Sequence, residues 1–221
     1  MRLDPAAVAA GFRLMAYETL GSTNAKALAH TASHGETSPL WITARAQSAG
    51  RGRGGKPWMS PLGNLYATLL LMDPALPDRA PELSFVAALA AYDAILQCAP
   101  GLRASLALKW PNDILCAGAK LAGILIESQM LHGRRAIAIG IGANCLHHPI
   151  PTSYPATDLA AAGAEVSSDE LFFMLSRTMV SRLKQWNRGE NFVATRADWL
   201  DRASGIGGRM RVRLPGRELF G

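Results

Sequence analysis

The sequence predicts an α/β (α+β) domain in which a mixed or antiparallel sheet is flanked by helices. Residues 105–144 contain strand-like segments with no helix between them, which is typical of an antiparallel meander. Residues 81–97 form a helical pattern with an apolar face suited to packing on a sheet. The last third of the chain is also helical, beginning at a Ser167-x-x-Glu170 capping box and continuing with a second helix over residues 192–202. With 221 residues, 49% of them hydrophobic, the chain can form one full domain with a sizeable core.

The first segments predict a short strand and then a helix. Residues 12–17 have strand-like sequence, and residues 25–29 favour a helix. Three polar residues precede that helix, and capping it requires only one of them. The other two are predicted to meet a polar ligand at the positive end of the helix. The three candidates are Ser22, Thr23 and Asn24.

A glycine-rich basic loop, residues 50–56, lies between strand-like segments at residues 40–44 and 65–71. It contains four glycines and three cations. Glycine gives the backbone little intrinsic shape, and the cations repel one another unless an anion lies among them. We therefore predict a loop that closes over a negatively charged ligand.

Two familiar phosphate-binding motifs nearly match this loop. Gly50-x-Gly52-x-x-Gly55 fits the dinucleotide fingerprint, but Pro57 and Pro61 leave no room for the helix that must follow. The loop also mimics a P-loop, yet Pro57 stands where a Ser or Thr hydroxyl must reach magnesium. Both matches fail on context, and a plain basic surface loop is the alternative interpretation.

The predicted meander has three strands, at residues 105–116 (interrupted at 111–113), 120–127 and 135–144. Polar residues stand at strand ends or bends, where their side chains can converge: Lys109, Asn112, Asp113, Lys120 and Asn144. Three glycines inside apolar strands indicate that a ligand or another backbone passes closely: Gly123, Gly140 and Gly142. Ordinary turns with surface lysines are the alternative.

Composition limits the classes of partner and the compartment. The formal net charge of +6 permits nucleic acid, anionic membranes, phosphate-bearing substrates or an acidic protein. Three widely spaced cysteines, Cys98, Cys116 and Cys145, favour a reducing compartment and burial as small apolar residues. His147 and His148 are interpreted as loop residues rather than metal ligands. No signal peptide or membrane span of about 20 apolar residues is present, so we expect a cytoplasmic protein.

Five segments, in this order and spacing, resemble the biotin protein ligases over residues 12–203. They are Gly21-Ser22-Thr23-Asn24, Gln47-Ser48-Ala49-Gly50-Arg51-Gly52-Arg53-Gly54-Gly55-Lys56-Pro57-Trp58, Lys109-Trp110-Pro111-Asn112-Asp113, Lys120-Leu121-Ala122-Gly123-Ile124-Leu125-Ile126-Glu127 and Gly140-Ile141-Gly142-Ala143-Asn144. The resemblance implies a class II synthetase-like catalytic domain, shared with lipoate ligases, over residues 1–203. It also implies that residues 204–221 are a truncated piece of an SH3-like C-terminal domain. The chain begins almost at the catalytic domain, so we expect the class without an N-terminal DNA-binding domain.

The resemblance further implies a reaction and its participants. Biotin is adenylated by ATP to biotinyl-5'-AMP, with release of diphosphate, and is then transferred to a lysine of the biotin carboxyl-carrier protein of acetyl-CoA carboxylase. ATP and Mg²⁺ are co-substrate and ion, no prosthetic group is tightly bound, and the protein is a monomer or homodimer. Neither nucleic acid nor a membrane is expected as a partner.

The resemblance assigns residues to each part of the site. The biotin-binding residues are Ser22, Thr23, Asn24, Gln47, Gly50, Arg51, Gly52, Arg53, Lys120 and Gly123. The ATP side comprises Arg53, Trp58, Asn112, Lys120 and Asn144. The catalytic set is Lys120, Arg53 and Asp113, and Asp113 also helps to place Mg²⁺. Charge supports these roles, because a carboxylate that attacks an α-phosphate needs countercharges near both anions.

Two rival functions are considered. A lipoate or octanoate ligase or transferase has the same fold, but a plain acyl chain needs fewer polar partners than the ureido ring of biotin. A nucleic-acid-binding module would use the basic loop and the arginine-rich tail, and it predicts aromatic platforms for bases near the loop. Trp58 is the one aromatic residue there, and no recognition helix is evident.

Overall fold

The computed structural model describes residues 1–35, 39–150, 152–208, 211–214 and 217–221. The helices are α1 (Pro5–Ala9), α2 (Thr23–His34), α3 (Leu83–Cys98), α4 (Ser168–Trp186) and α5 (Phe192–Asp201). The strands are β1 (Arg13–Leu20), β2 (Leu40–Gln47), β3 (Leu65–Met72), β4 (Leu106–Lys109), β5 (Asp113–Cys116), β6 (Ala119–Leu131), β7 (Arg134–Ala143), β8 (Arg211–Leu214) and β9 (Arg217–Phe220).

Seven strands form one mixed sheet in the order β1-β2-β3-β7-β6-β5-β4. β1 and β2 are parallel, and the other neighbouring pairs are antiparallel. The strand at the parallel end requires a crossover, and α2 supplies it. The predicted fold class, a mixed sheet flanked by helices, is confirmed.

The two faces of the sheet are covered unequally. Alternate residues such as Leu69 and Ile139 point to the larger core, which α3 and α4 cover. The residues between them, such as Leu70 and Ala138, pack beneath α2 in a second, smaller core. Because α2 is only 12 residues long, it covers part of that second face. The uncovered part, beyond the start of α2, is where the candidate site lies.

Residues 105–116 do not form the single interrupted strand that the sequence predicts. The structure has two antiparallel strands, with Leu106 opposite Cys116 and Lys109 opposite Asp113. Pro111, expected to interrupt a single strand, lies in the turn between them, since proline has no N–H to give to a ladder. The turn brings residues 109 and 113 to the same sheet edge, which a continuous strand would have separated.

The predicted helix starts are largely confirmed. Ser167 Oγ accepts a hydrogen bond from Glu170 N at 3.2 Å, and the Glu170 carboxylate accepts from Ser167 N at 3.0 Å. These are the two bonds of a capping box. The sequence also predicts that Glu82 serves the positive end of α3, but its side chain makes no cap hydrogen bond to that helix. Glu82 is buried, and its carboxylate accepts a hydrogen bond from Trp186 Nε1 at 2.6 Å, which ties α3 to the end of α4.

In the C-terminal tail, β8 and β9 pair antiparallel as a separate sheet. The alternating sequence of residues 209–214 predicts one strand there, followed by a turn at Pro215–Gly216. The start of that strand, Arg209–Met210, and the turn lie outside the described residues. The SH3-like character of this tail and the division at residues 203 and 204 stay predictions. None of the helices in the described ranges combines the length and the apolarity needed to cross a membrane.

Burial protects two of the cysteine thiols. It raises the pKa of Cys98 to about 11 and that of Cys145 to about 12. A raised pKa keeps a thiol protonated at pH 8, and the thiolate is the reactive form. We expect both to be alkylated by iodoacetamide at least about a hundredfold more slowly in the folded protein than after denaturation. Peptide mass spectrometry of native and guanidinium-treated samples measures this ratio, and equal rates at Cys145 would contradict the buried position.

Candidate active site

A cavity of about 350 Å³ lies on the open face of the sheet, beyond the start of α2. It is formed by the start of α2, the glycine loop, the β4–β5 turn, β6, β7 and a segment near residue 154. The residues lining it are Ser22, Thr23, Asn24, Gln47, Arg51, Gly52, Arg53, Lys56, Pro57, Trp58, Tyr66, Lys109, Asn112, Asp113, Leu115, Gly118, Lys120, Gly123, Ile124, Leu125, Gly140, Ile141, Gly142, Tyr154 and Pro155.

The polar residues at the start of α2 are held in a hydrogen-bonded network. Gln47 Oε1 accepts from Thr23 N at 2.8 Å and from Thr23 Oγ1 at 3.1 Å. Thr68 Oγ1 lies 2.8 Å from Thr23 Oγ1 and 2.6 Å from Asn24 Oδ1. Ser22 caps the helix. Thr23 and Asn24 line the cavity, and both side chains already have protein partners, so they are held rather than free. That they meet a polar ligand stays a prediction.

The glycine loop has more shape than the sequence predicts. Gly52 N donates to Lys56 O at 2.7 Å, and Trp58 N donates to Gly50 O at 2.9 Å. A short 3₁₀ turn, Arg53–Gly55, forms its tip, and Gly54 has a φ of 65°, which glycine adopts without strain. The loop is thus a hairpin with its own backbone hydrogen bonds, and it projects two arginines into the cavity.

Each of the two loop arginines has a protein partner. Arg51 Nη2 lies 3.3 Å from a carboxylate oxygen of Glu127. Arg53 Nη1 donates to Asn112 Oδ1 at 3.3 Å, and Asn112 Nδ2 donates to Ile124 O at 2.8 Å. Both arginines are exposed on the cavity side, so the guanidinium groups are oriented and still accessible.

Lys120 lines the cavity and is held there by a carboxylate and two aromatic rings. Its ammonium group lies 2.6 Å from Asp113 Oδ1. It also lies 5.3 Å from the ring centre of Trp58 and 5.6 Å from that of Tyr154, which is cation–π distance. Asp113 reaches Lys120 because β5 and β6 pair here, Asp113 lying opposite Gly123. These partners keep a charged amine in one place inside the cavity.

The three strand glycines leave room for side chains of the site. A β-carbon on Gly140 would lie 2.4 Å from Asn24 Oδ1, and one on Gly142 would lie 2.8 Å from Trp58 Nε1. Gly123 has Trp58 and Lys120 at 3.3 Å. The protein groups that pass closely are side chains rather than backbone, and a ligand close to these glycines stays a prediction. Among the described residues, the buried Trp58 Nε1 has no hydrogen-bond acceptor.

Two predicted site residues lie outside the cavity lining. Gly50 is packed against Ser60 Oγ and Trp58 O, so that a β-carbon would lie 2.5 Å from each. Asn144 is buried, and its Nδ2 donates to Thr157 O at 2.9 Å. Asn144 thereby anchors the segment that carries Tyr154 over Lys120.

Sequence reasoning missed several residues that form the site. Thr68 is fully buried on β3 and joins Thr23 to Asn24. Tyr66, two residues earlier, lines the cavity on the same face, and burial raises the pKa of its phenol well above the usual range. Because residues two apart on a strand lie on the same face of the sheet, the sequence could have indicated that Tyr66 and Thr68 lie together. Tyr154 had no signal, because a bridge between Lys120 and Ala156 brings its segment to the cavity.

Fold and cavity together define a class of protein. Among the described residues that line the cavity, five are cationic and one, Asp113, is a carboxylate. The cations lie beside a neutral network of hydroxyl and amide groups. Such a mixed-sheet domain is suited to holding two anionic groups against each other and a neutral polar group next to them.

Comparison with known proteins gives the family. Residues 17–144 match the model of the biotin/lipoate A/B protein ligase family. The chain is 39% identical over 207 residues to the biotin–[acetyl-CoA-carboxylase] ligase of Paracoccus denitrificans, covering 90% of this chain and 85% of that one. It is 34% identical over 199 residues to the Mycobacterium tuberculosis ligase of the same name, covering 89% and 73%. The Leishmania major biotin protein ligase in complex with biotinyl-5-AMP superposes with a TM-score of 0.76 at 26% identity, covering 93% and 86%. The chain belongs to the biotin/lipoate A/B protein ligase family.

Proposed function

We propose that this protein is a biotin ligase that joins biotin to ATP as biotinyl-5'-AMP and passes the biotinyl group to a lysine of acetyl-CoA carboxylase. The observation that carries the proposal is that Arg51, Arg53 and Lys120, from two separate parts of the chain, line one cavity. The names of the Paracoccus and Mycobacterium relatives support biotin and the carboxylase as substrates.

The neutral part of the cavity is suited to the ureido ring of biotin. That ring has N–H donors and a carbonyl acceptor, and it needs partners of both kinds. Thr23, Asn24 and Gln47 offer hydroxyl and amide groups that are already fixed by Thr68 and by one another. A fixed network loses little side-chain freedom when the ligand binds, which favours affinity.

The cationic part of the cavity is suited to adenylation. In this step a carboxylate oxygen of biotin forms a bond to the α-phosphorus of ATP, and the bond from that phosphorus to diphosphate breaks. The two reactants are both anions, and a cation about 4 Å from one of them offers about 4 kcal/mol at an effective dielectric constant near 20. Lys120 and Arg53 would face the reacting carboxylate and α-phosphate, while Arg51 would hold the carboxylate end of biotin. These groups act by position and charge.

The ATP side would lie near Trp58, Asn112 and the segment that Asn144 anchors. A magnesium ion bound with ATP would neutralise phosphate charge, and Asp113 is the carboxylate available to it. Across the described residues, no group of three or more His, Cys, Asp or Glu side chains could hold a metal ion. One carboxylate fits an ion that is held mainly by phosphate oxygens, which is usual for magnesium.

In the second step the neutral amine of the acceptor lysine would attack the acyl carbon of the mixed anhydride, and AMP would leave. We place the catalytic domain at residues 1–203 and a partial SH3-like domain at residues 204–221. The glycine loop would limit access of water to the anhydride, because it forms one wall of the cavity.

A lipoate or octanoate ligase is the second candidate, since the description of the matching family names lipoate beside biotin. One experiment tests both. The protein is incubated with ATP, Mg²⁺ and an acceptor domain of the carboxylase, with either biotin or lipoate. We expect mass spectrometry to find the biotinyl mass on one acceptor lysine and no lipoyl adduct. Isothermal titration with each acid, in the absence of ATP, provides the binding control. A lipoyl adduct alone, or heat from lipoate and none from micromolar biotin, would overturn the proposal.

A further inference from the structure

Glu127 lies next to the cavity but has no role in the reaction proposed above. It lies on β6, opposite Ala138 of β7, on the face that α2 covers in part. Glu127 does not belong to the cavity lining, and its side chain is 31% exposed. It therefore occupies the boundary between the small core beneath α2 and the open part of the face.

The Glu127 carboxylate joins two elements that are distant in sequence. Its Oε2 accepts a hydrogen bond from Asn24 Nδ2 at 2.8 Å. Its Oε1 lies 3.3 Å from Arg51 Nη2. Asn24 begins α2, and Arg51 belongs to the glycine loop, so this single group fixes one member of the neutral network and one of the cations. Bonds to an ionised carboxylate are among the stronger hydrogen bonds in proteins.

The carboxylate can orient Arg51 without occupying it. A guanidinium group has five N–H donors in a rigid plane. The pair with Glu127 uses Nη2 and leaves Nε and Nη1 for an anion in the cavity. Fixing one edge of the plane also fixes the direction of the others. The same carboxylate offsets part of the repulsion among the loop cations before the ligand arrives.

Resting on the proposed function, we infer that Glu127 is a positioning residue for biotin: it holds Arg51 and Asn24 in the orientations that bind the acid. This role predicts a separation of effects. Binding of biotin should weaken when the carboxylate is removed. The KM for ATP should change little, because Arg53 and Lys120 have other partners in Asn112 and Asp113.

The test compares Glu127→Ala and Glu127→Gln with the wild type by titration with biotin alone and by steady-state kinetics. We expect about a tenfold rise in the Kd of biotin for the alanine variant and a smaller rise for glutamine, which keeps an acceptor for Asn24 but loses the charge. The KM for ATP and kcat should stay within about twofold. Glu18→Ala is the matched control, because Glu18 is 86% exposed and forms a similar 3.5 Å pair with Arg45 away from the cavity.

A double-substitution cycle separates positioning from general stability. If Glu127 acts through Arg51, the combined loss of both side chains should weaken biotin binding less than the product of the two single losses. The inference about Glu127 would be overturned if the two single losses of biotin affinity multiply in the double variant. It would also be overturned if Glu127→Ala and Glu127→Gln bind biotin with the Kd of the wild type. Either result leaves the proposed function unaffected, whereas a wild-type protein that binds no biotin would overturn both the inference and the proposed function. If the alanine variant does not fold, the glutamine variant carries the same comparison.

Discussion

Replacing Lys120 with alanine is expected to lower the rate of biotinyl-5'-AMP formation by about 10²–10³-fold, which is the usual cost of removing one charge-stabilising group. The ammonium group lies in the cavity between Asp113 and the rings of Trp58 and Tyr154, so no neighbouring cation can take its place without rearrangement. Release of radiolabelled diphosphate from ATP, in the presence of biotin and without the acceptor protein, measures this step.

The fold should survive the Lys120 substitution. The ion pair with Asp113 is partly buried, with side chains 17% and 23% accessible, so its loss should cost more than the ~1 kcal/mol of an exposed pair and less than the ~3 kcal/mol of a buried one. The thermal midpoint should therefore fall by no more than about 12 °C. Lys184→Ala, an exposed lysine in the last turn of α4, is the control and should retain full activity. Adenylation by Lys120→Ala within threefold of the wild type would refute the assigned role.

Replacing Gly140 with alanine is expected to weaken biotin binding by at least about tenfold, or about 1.4 kcal/mol. The new methyl group would lie 2.4 Å from Asn24 Oδ1, a distance that real contacts do not allow. Asn24 must then move, which breaks its bonds to Thr68 and Glu127. Titration with biotin in the absence of ATP measures the affinity, and an unchanged Kd would contradict the position of Asn24.

Two further variants isolate the cause of the Gly140 effect. Crowding a packed position costs typically about 1–3 kcal/mol of stability, so denaturant unfolding is measured beside binding. Gly101→Ala is the control, because a β-carbon there meets no atom within 4 Å and the residue lies outside the cavity. Adding Asn24→Ala to the Gly140 variant removes the clash, so the two substitutions together should destabilise the protein less than the sum of the two single losses, without restoring affinity. Additive losses would show that the methyl group collides with something else.

Much of the fold followed from local sequence. The capping box at Ser167, the strand patterns around the glycine loop and the meander all appear where expected. The structure differs from the prediction where one local sequence pattern is compatible with two structures. Pro111 ends a strand either as an interruption or as a turn, and pairing between β4 and β5 decided for the turn. Glu82 is a residue type that favours a helix start, but its carboxylate instead accepts a hydrogen bond from the buried Trp186 Nε1.

The site divides in the same way. Residue type and spacing indicated the basic loop, the polar residues before α2 and the lysine of β6. Arg51, Arg53 and Lys120 do line one cavity. Nothing in the local sequence indicated the protein partners of these residues. The loop was expected to lack shape, yet backbone bonds such as that from Gly52 N to Lys56 O give it a hairpin form.

The sequence by itself determined the kind of chemistry, because charge, glycine content and helix-cap residues act over a few neighbouring positions. Only the tertiary structure decided which groups hold the reacting side chains in place. Glu127 meets residues that are 76 and 103 positions away, and Thr68 meets one that is 44 positions away. Strand periodicity tells which face a side chain occupies, but the partner across that face is set by strand order and register, which are properties of the assembled sheet.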